Sequence, residues 1–279
     1  MEKGKVDLHV HTNFSDGTFT PAQTVEKAKE LGFRAIAITD HDALDGIDAA
    51  AQEGKKLGVE IIPGVELTAY YNKAEIHILG YYIDYKTQWF RKKMEEFCRD
   101  RIKRAERILE KLREYDIDLN MEELQLLKGH GFLGRLHIAN LLKMKGHVKS
   151  LGEAFERFIG DYKPCYIPKI AMAPREAIEM VLKVKGIPVF AHPALTQRDG
   201  IIPDLVKHGL MGIEVYHSEH SAQNSRYYQK IAQKHNLLET GGSDCHGLGK
   251  GEVLMGKVSV SYEVVEKLKE LKRKLDEQR

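Results

Sequence analysis

Asp7-Leu-His9-Val-His11 carries the first chemistry of this 279-residue chain. In an extended segment side chains alternate, so His9 and His11 share one face while Leu8 and Val10 share the other. Two imidazoles two residues apart at a strand end are placed to bind one metal ion, although two ordinary polar histidines would look the same in isolation. Asp16 follows in Phe-Ser-Asp16-Gly17, where the alternative is a plain turn residue. Thr39-Asp40-His41-Asp42 stands directly after an apolar run, and Glu66 follows Pro63-Gly-Val. His77 lies in Glu75-Ile-His77-Ile-Leu79, where a core histidine is the alternative, and His192 closes Ile187-Pro-Val-Phe-Ala191 as Ala-His192-Pro193. Thr240-Gly-Gly-Ser-Asp244-Cys-His246-Gly247 then sets Asp244 and His246 at i and i+2.

Each of these is weak alone. Together they put six histidines and three carboxylates at or near the ends of six expected strands. Buried imidazoles and carboxylates in such numbers are costly unless they bind cations. Imidazole and carboxylate donors without thiolate favour Mn²⁺, Fe²⁺ or Zn²⁺ over Ca²⁺ or an iron–sulfur cluster. Nine donors exceed the needs of one ion. Two or three neighbouring metals are implied, an arrangement suited to in-line displacement at phosphorus.

The elements that position these residues alternate between strand and helix. Val6–Val10 reads as a strand. Thr20-Pro21-Ala22-Gln23 reads as N-cap, N1 proline and capping-box glutamine of a helix running to Leu31, with Gly32 as its left-handed stop. Ala35–Thr39 is a nearly unbroken apolar strand, as burial on both faces requires. A helix over Ile47–Leu57 closes at Gly58, and strands follow near Glu60–Ile62 and Glu75–Tyr82. The rhythm returns with strands at Ile187–Ala191, Met211–Tyr216, Leu237–Thr240 and Lys257–Val260. Alternating βα units predict a mainly parallel sheet or barrel whose working residues stand at the strand C-termini.

The middle breaks this rhythm. A long charged helix is expected over Trp89–Glu114, and Asn120-Met-Glu-Glu123 and Ser150-Leu-Gly-Glu153 read as further helix starts. The expected division is a metal-binding barrel from residues 1–85 and 169–279, with 86–168 as a helical insert capping the substrate. Residues 86–168 carry 18 Lys and Arg against 13 Asp and Glu, net +5, which leaves the rest of the chain at −3. A basic insert over a slightly acidic scaffold suits an anionic substrate held above metals, and a solvated helix face is the alternative. The whole chain has 43 basic and 41 acidic residues, formal net charge +2, which argues against coating long duplex nucleic acid. There is no run of eighteen apolar residues and no apolar leader at the N-terminus, so the expectation is a cytoplasmic protein without membrane partners. Cys98, Cys165 and Cys245 are too scattered for a disulfide framework or an all-cysteine zinc site.

His9-x-His11, Thr39-Asp40-His41, Glu66, His77, Ala-His192-Pro and Gly-Ser-Asp244-x-His246-Gly together resemble the PHP (polymerase and histidinol phosphatase) metallophosphoesterases. All nine ligand positions of that pattern are occupied, and Asp-Leu-His-Val-His-Thr-x-Phe-Ser-Asp-Gly is specific by itself. The resemblance implies an α/β fold, a distorted (β/α)₇ PHP barrel with a helical insert domain, of the TrpH-like or YciV-like branch. That branch hydrolyses the 3′-phosphate of nucleoside 3′,5′-bisphosphates, and some members trim short 5′-phosphorylated RNA. By the same resemblance His9, His11, Glu66 and Asp244 hold one ion. A bridging Glu66 with His77 and His192 holds a second, and Asp16, His41 and His246 hold a third. No side-chain nucleophile is required, since a metal-bound hydroxide attacks, and Asp7 and Asp40 are expected to orient the histidines from behind.

Arg135 and His137 of Gly134-Arg135-Leu-His137 resemble a substrate-facing Arg-x-His of this branch, although Leu136 stands where the family usually has proline. An arginine fork matches phosphate oxygens. Lys163, Tyr166 and His217 are further substrate-binding candidates. His130, His147, His208, His220 and His235 are read as structural or solvated. The expected partner is a small phosphorylated molecule, nucleotide or short RNA. Histidinol phosphate is the alternative substrate, and a polymerase-associated proofreading or regulatory module ranks below both.

Overall fold

The structure, a computed structural model, describes residues 4–72, 74–128, 133–168 and 172–277. The strands are β1 (Lys5–Val10), β2 (Phe33–Ile38), β3 (Glu60–Tyr71), β4 (Ala74–Tyr81), β5 (Ile187–Phe190), β6 (Gly212–His217), β7 (Leu238–Gly242) and β8 (Val260–Ser261). The helices are α1 (Pro21–Glu30), α2 (Gly46–Leu57), α3 (Gln88–Arg113), α4 (Met121–Lys128), α5 (Arg135–Met144), α6 (Leu151–Ala154), α7 (Pro174–Lys183), α8 (Pro193–Thr196), α9 (Ile202–Lys207), α10 (Ala222–His235) and α11 (Glu263–Glu277). None of them is long and apolar enough to cross a membrane. The chain divides into two compact units, Met1–Arg91 with Ala171–Arg279, and Lys92–Ile170.

The first unit is a nearly closed barrel whose sheet runs β7-β6-β5-β4-β3-β2-β1-β8. Its apolar strands follow from burial on both faces: Ala35, Ile36, Ala37 and Ile38 are all fully buried. The helix signals act as their chemistry demands. Thr20 caps α1, its hydroxyl accepting the Gln23 N–H while the Gln23 side chain accepts the Thr20 N–H, and Gly58 stops α2 in the left-handed conformation at φ 71°. Gly54 has no substitute on α2, because a Cβ there would stand 2.5 Å from Ile61 and from the Val59 carbonyl.

One expectation needs correction. β3 does not end near Ile62 but runs on to Tyr71 and turns through Asn72 into an antiparallel β4, which pairs antiparallel with β5 as well. Pro63-Gly64 reads as a break, yet the proline sits at the last position where β3 pairs with β2, and the hairpin begins beyond it. The remaining neighbours among β1, β2, β3, β5, β6 and β7 are parallel. Short β8 lies antiparallel against the start of β1, and Val10 bridges to Cys245 beyond β7, so the chain around β7 returns to β1 and closes the ring.

The second unit is helical, with Ile108, Leu112, Leu124, Leu142 and Ile159 buried in its own core. Asn120 Oδ1 accepts the Glu122 N–H at 2.8 Å at the start of α4. Ser150 Oγ accepts the Glu153 N–H at 3.1 Å, and the Glu153 carboxylate accepts the Lys149 N–H at 2.7 Å.

Candidate metal centre

Glu66 is the hub of the barrel rim. The isolated pairing of His41 with Glu66 places this acid just past the β2–β3 ladder, where it is fully buried. Its Oε2 lies 3.1 Å from His9 Nε2, 3.2 Å from His11 Nε2 and 3.3 Å from His41 Nδ1. Its Oε1 lies 2.8 Å from His77 Nδ1 and 3.0 Å from His192 Nε2. Because β4 runs antiparallel, the early part of that strand reaches this rim, which is why His77 arrives although it sits near the strand's beginning. Burial alone would keep the Glu66 carboxyl protonated, but the surrounding imidazoles hold it well below its ordinary range. Burial disfavours charge on His77 too, yet Glu66 and Glu75 together push it up to about 10. His41 goes the other way, and burial lowers it to about 3.

The loop after β7 brings Asp244 and His246. Asp244 Oδ1 stands 3.0 Å from His11 Nε2 and 3.4 Å from His9 Nε2, while Asp16 Oδ1 stands 3.1 Å from His246 Nε2 and Asp16 Oδ2 4.0 Å from His41 Nε2. All nine residues expected from the sequence therefore meet at one end of the barrel. Donor atoms lie within 4.8 Å of one another in the sets His9–His11–Glu66–Asp244, His11–Asp16–His41–His246 and His41–Glu66–His77, and His192 Nε2 is 3.2 Å from His77 Nδ1. His217 joins the rim as well, its Nε2 3.4 Å from Asp244 Oδ2.

Asp7 and Asp40 act one step further back, and neither bonds a histidine ring. Asp7 accepts the His9 N–H and both the N–H and hydroxyl of Ser243, tying the chain beyond β7 to β1. Asp40 accepts the Thr12 N–H, the Thr12 hydroxyl and the Ser15 hydroxyl, fixing the turn that carries Asp16. Burial raises both carboxyls, Asp7 to about 6. The acid that does orient a ring is Glu214 of β6, which the motif reading missed. Its two oxygens lie 3.0 and 3.2 Å from His9 Nδ1, and one of them accepts the His192 N–H at 2.8 Å. A carboxylate behind Nδ1 leaves Nε2 as the free donor facing the rim. The available signal was an acid inside the apolar strand Gly212-Ile-Glu-Val-Tyr, which cannot be buried without a partner.

Metal ions fit this rim. Buried His11 Nε2, His192 Nδ1 and His217 Nε2 lack a well-directed hydrogen bond, the condition of nitrogens awaiting a cation or a ligand. Among the described residues the converging donors are histidine, aspartate and glutamate only. Cys245 is buried between two rim residues and takes no part in those sets.

In the helical unit, Arg135 Nη1 pairs with Asp161 at 2.7 Å and the Ile159 carbonyl at 3.1 Å, and the guanidinium lies 5.4 Å from the Tyr166 ring centre. His137 Nδ1 accepts the Gly134 N–H at 3.2 Å, and Lys163 is exposed. His130 lies outside the described residues. His220, read as structural or solvated, donates from Nδ1 to the Val215 carbonyl at 3.0 Å, and its ring centre is 5.2 Å from that of His217.

Comparison with known proteins gives the family of the chain. A match to the PHP domain spans residues 7–167. The chain is 30% identical to the phosphoribosyl 1,2-cyclic phosphate 1,2-diphosphodiesterase of Eggerthella lenta, over 86% of this chain and 94% of that one. It is 30% identical to the 5′-3′ exoribonuclease Rnm of Escherichia coli over 86% and 84%, and 27% identical to the 3′,5′-nucleoside bisphosphate phosphatase of Chromobacterium violaceum over 88% of each. A crystal structure from Bifidobacterium adolescentis, described as a metal-dependent phosphoesterase, matches with TM-score 0.83 at 30% identity and covers 94% of each chain. Barrel and rim thus define a metal-dependent phosphoric ester hydrolase. The chain belongs to the PHP domain family.

Proposed function

We propose that the protein hydrolyses a phosphate ester of a small nucleotide, the 3′-phosphate of a nucleoside 3′,5′-bisphosphate or an ester of short 5′-phosphorylated RNA, using two or three divalent ions of manganese, iron or zinc. The observation that carries the reading is the hub, one buried carboxylate with five imidazole nitrogens within 3.3 Å. His9, His11, Glu66 and Asp244 would hold one ion, Glu66, His77 and His192 a second, and Asp16, His41 and His246 a third. Bound divalent ions supply Lewis acidity at the phosphoryl oxygens and an activated water. Glu214 holds His9 with Nε2 presented to the rim, and Asp7 and Asp40 hold the loops that carry Asp244 and Asp16.

The substrate class draws on the relatives, of which one is a bisphosphate phosphatase and one a 5′-3′ exoribonuclease. It also draws on the net +5 of residues 86–168, with Arg135, His137, Lys163 and Tyr166 as the groups that would bind a second anionic group. Histidinol phosphate gains no support from these relatives. A cyclic phosphodiester is a second reading, because the Eggerthella relative is matched over 94% of its length.

The test is a side-by-side kcat/KM, with Mn²⁺ present, for adenosine 3′,5′-bisphosphate, 5′-phosphorylated short RNA, phosphoribosyl 1,2-cyclic phosphate and histidinol phosphate. A hydrogen bond to a charged group is worth about 1.5–3 kcal/mol, so a nucleotide substrate with a second anionic group should lead histidinol phosphate by roughly tenfold or more. Equal values, or histidinol phosphate ahead, would overturn the nucleotide reading. A lead for the cyclic ester would select the second one.

A further inference from the structure

Asp244 divides its two oxygens between different company. Oδ1 faces the histidines, 3.0 Å from His11 Nε2 and 3.4 Å from His9 Nε2. Oδ2 faces away from them and accepts Lys250 Nζ at 2.6 Å, with His217 Nε2 at 3.4 Å. The Lys250 side chain is 36% exposed, its ammonium reaches the rim at Asp244, and its other acidic neighbour, Glu219, is 3.9 Å away. His217 has its tautomer set by the backbone. Its Nδ1 accepts the Glu219 N–H at 3.1 Å, which leaves Nε2 of the neutral ring as a donor. That nitrogen is buried and has no well-directed hydrogen bond. A charged donor and a fixed neutral donor therefore meet beside the converging metal-type ligands, at an anionic oxygen.

A phosphoryl group needs this company. An ammonium is a compact point charge suited to a phosphate oxygen, and a tautomer-fixed N–H gives it direction. The lysine is also carried on a chain that can re-aim it: His246-Gly247-Leu-Gly249-Lys250-Gly251 has left-handed glycines at φ 62° (Gly247) and φ 91° (Gly251), and open space around Gly251. We propose that Lys250, with His217 Nε2–H beside it, binds the scissile phosphoryl group, leaving Asp244 Oδ2 for a phosphoryl oxygen when substrate is present. The inference rests on the metal centre proposed above, and not on which ester is the substrate.

The experiment uses the full chain loaded with Mn²⁺, the variants Lys250→Met and Lys250→Arg, and inorganic phosphate as the probe. Metal content is measured by elemental analysis, phosphate affinity by calorimetry, and kcat/KM on adenosine 3′,5′-bisphosphate and on para-nitrophenyl phosphate. Lys250→Met should keep its metal, bind phosphate at least tenfold more weakly, and lose a similar factor in kcat/KM on both esters, with Lys250→Arg recovering part of each loss. Phosphate affinity unchanged in Lys250→Met would overturn the proposal. So would metal content falling in step with affinity, which would confine the lysine to holding Asp244. Failure of the metal centre itself shows separately, as wild-type protein that retains no Mn²⁺.

Discussion

Replacing Glu66 tests the centre at its hub. Among the described residues the carboxylate contributes to two of the four tight donor sets, His9–His11–Glu66–Asp244 and His41–Glu66–His77, and is absent from His11–Asp16–His41–His246 and His9–Glu214–His217. Glu66→Ala should therefore cut bound metal by more than one ion while leaving the Asp16 set able to retain one. Two effects enter the magnitude. Removing one member of a buried ionic cluster costs about 3–5 kcal/mol of stability, and for a barrel of this size about 2–4 °C in Tm accompanies each kcal/mol, so the metal-free variant should melt roughly 6–20 °C lower and remain folded at 25 °C. Hydrolysis should fall by about a thousandfold or more, since a shared carboxylate lost from two ligand sets costs more than the 10–100-fold typical of an outer-shell partner. Glu66→Gln keeps the volume and removes the charge, and it separates the electrostatic loss from the cavity. The assay is elemental analysis after dialysis against Mn²⁺, with a melting curve and a turnover measurement on the same sample. A folded Glu66→Ala protein with wild-type metal content and normal turnover would refute the shared-carboxylate reasoning.

Two further outcomes follow from the same structure. Glu214→Ala should weaken metal affinity about 10–100-fold with every rim ligand intact, because His9 loses the acceptor behind its Nδ1; titration against a competing chelator checks it, and unchanged affinity would show that His9 needs no such partner. On the far side of the barrel, Glu60 accepts the Tyr262 hydroxyl at 2.5 Å and Lys269 Nζ at 2.7 Å. Burial opposes its ionisation, but Lys269 and Tyr262 outweigh that and lower its pKa below the ordinary 4.5. A lowered carboxyl stabilises the fold above its unfolded value and ceases to as pH falls through its folded one. Glu60→Gln should thus cost at most about 1 kcal/mol near neutrality, the pair being partly solvated, with the gap in Tm closing below pH 4.5; a gap independent of pH would sink the ionic reading.

The rim was readable from the sequence because its residues are chemically improbable where they stand. His9, His41 and His192 each interrupt or closely follow an apolar run, Asp244 and His246 stand at i and i+2 past another strand, and period-two alternation puts His9 and His11 on one side without further information. The β3–β4 hairpin was not readable in the same way. Pro63-Gly64 mimics a strand end, and only pairing with β4 shows that the chain continues extended through Glu66 to Tyr71. Glu214 and Lys250 escaped for opposite reasons. Glu214 is one polar residue in an apolar strand, with a partner 205 positions away, and Lys250 sits in a glycine-rich loop whose spacing says nothing of where its ammonium goes. Asp7 and Asp40 were readable as supporting acids, but what each supports, a loop and not a ring, depends on contacts from Ser243, Thr12 and Ser15 that no local pattern encodes.

His192 sits at φ 25° and ψ 58°, a conformation that costs a non-glycine residue about 1–3 kcal/mol. Its N–H is held by the same Glu214 carboxylate that orients the His9 ring. Position 214 is therefore a shared point of support for two rim histidines, one on β1 and one just past β5. A change there releases an imidazole on β1 and a strained peptide beyond β5 in one event.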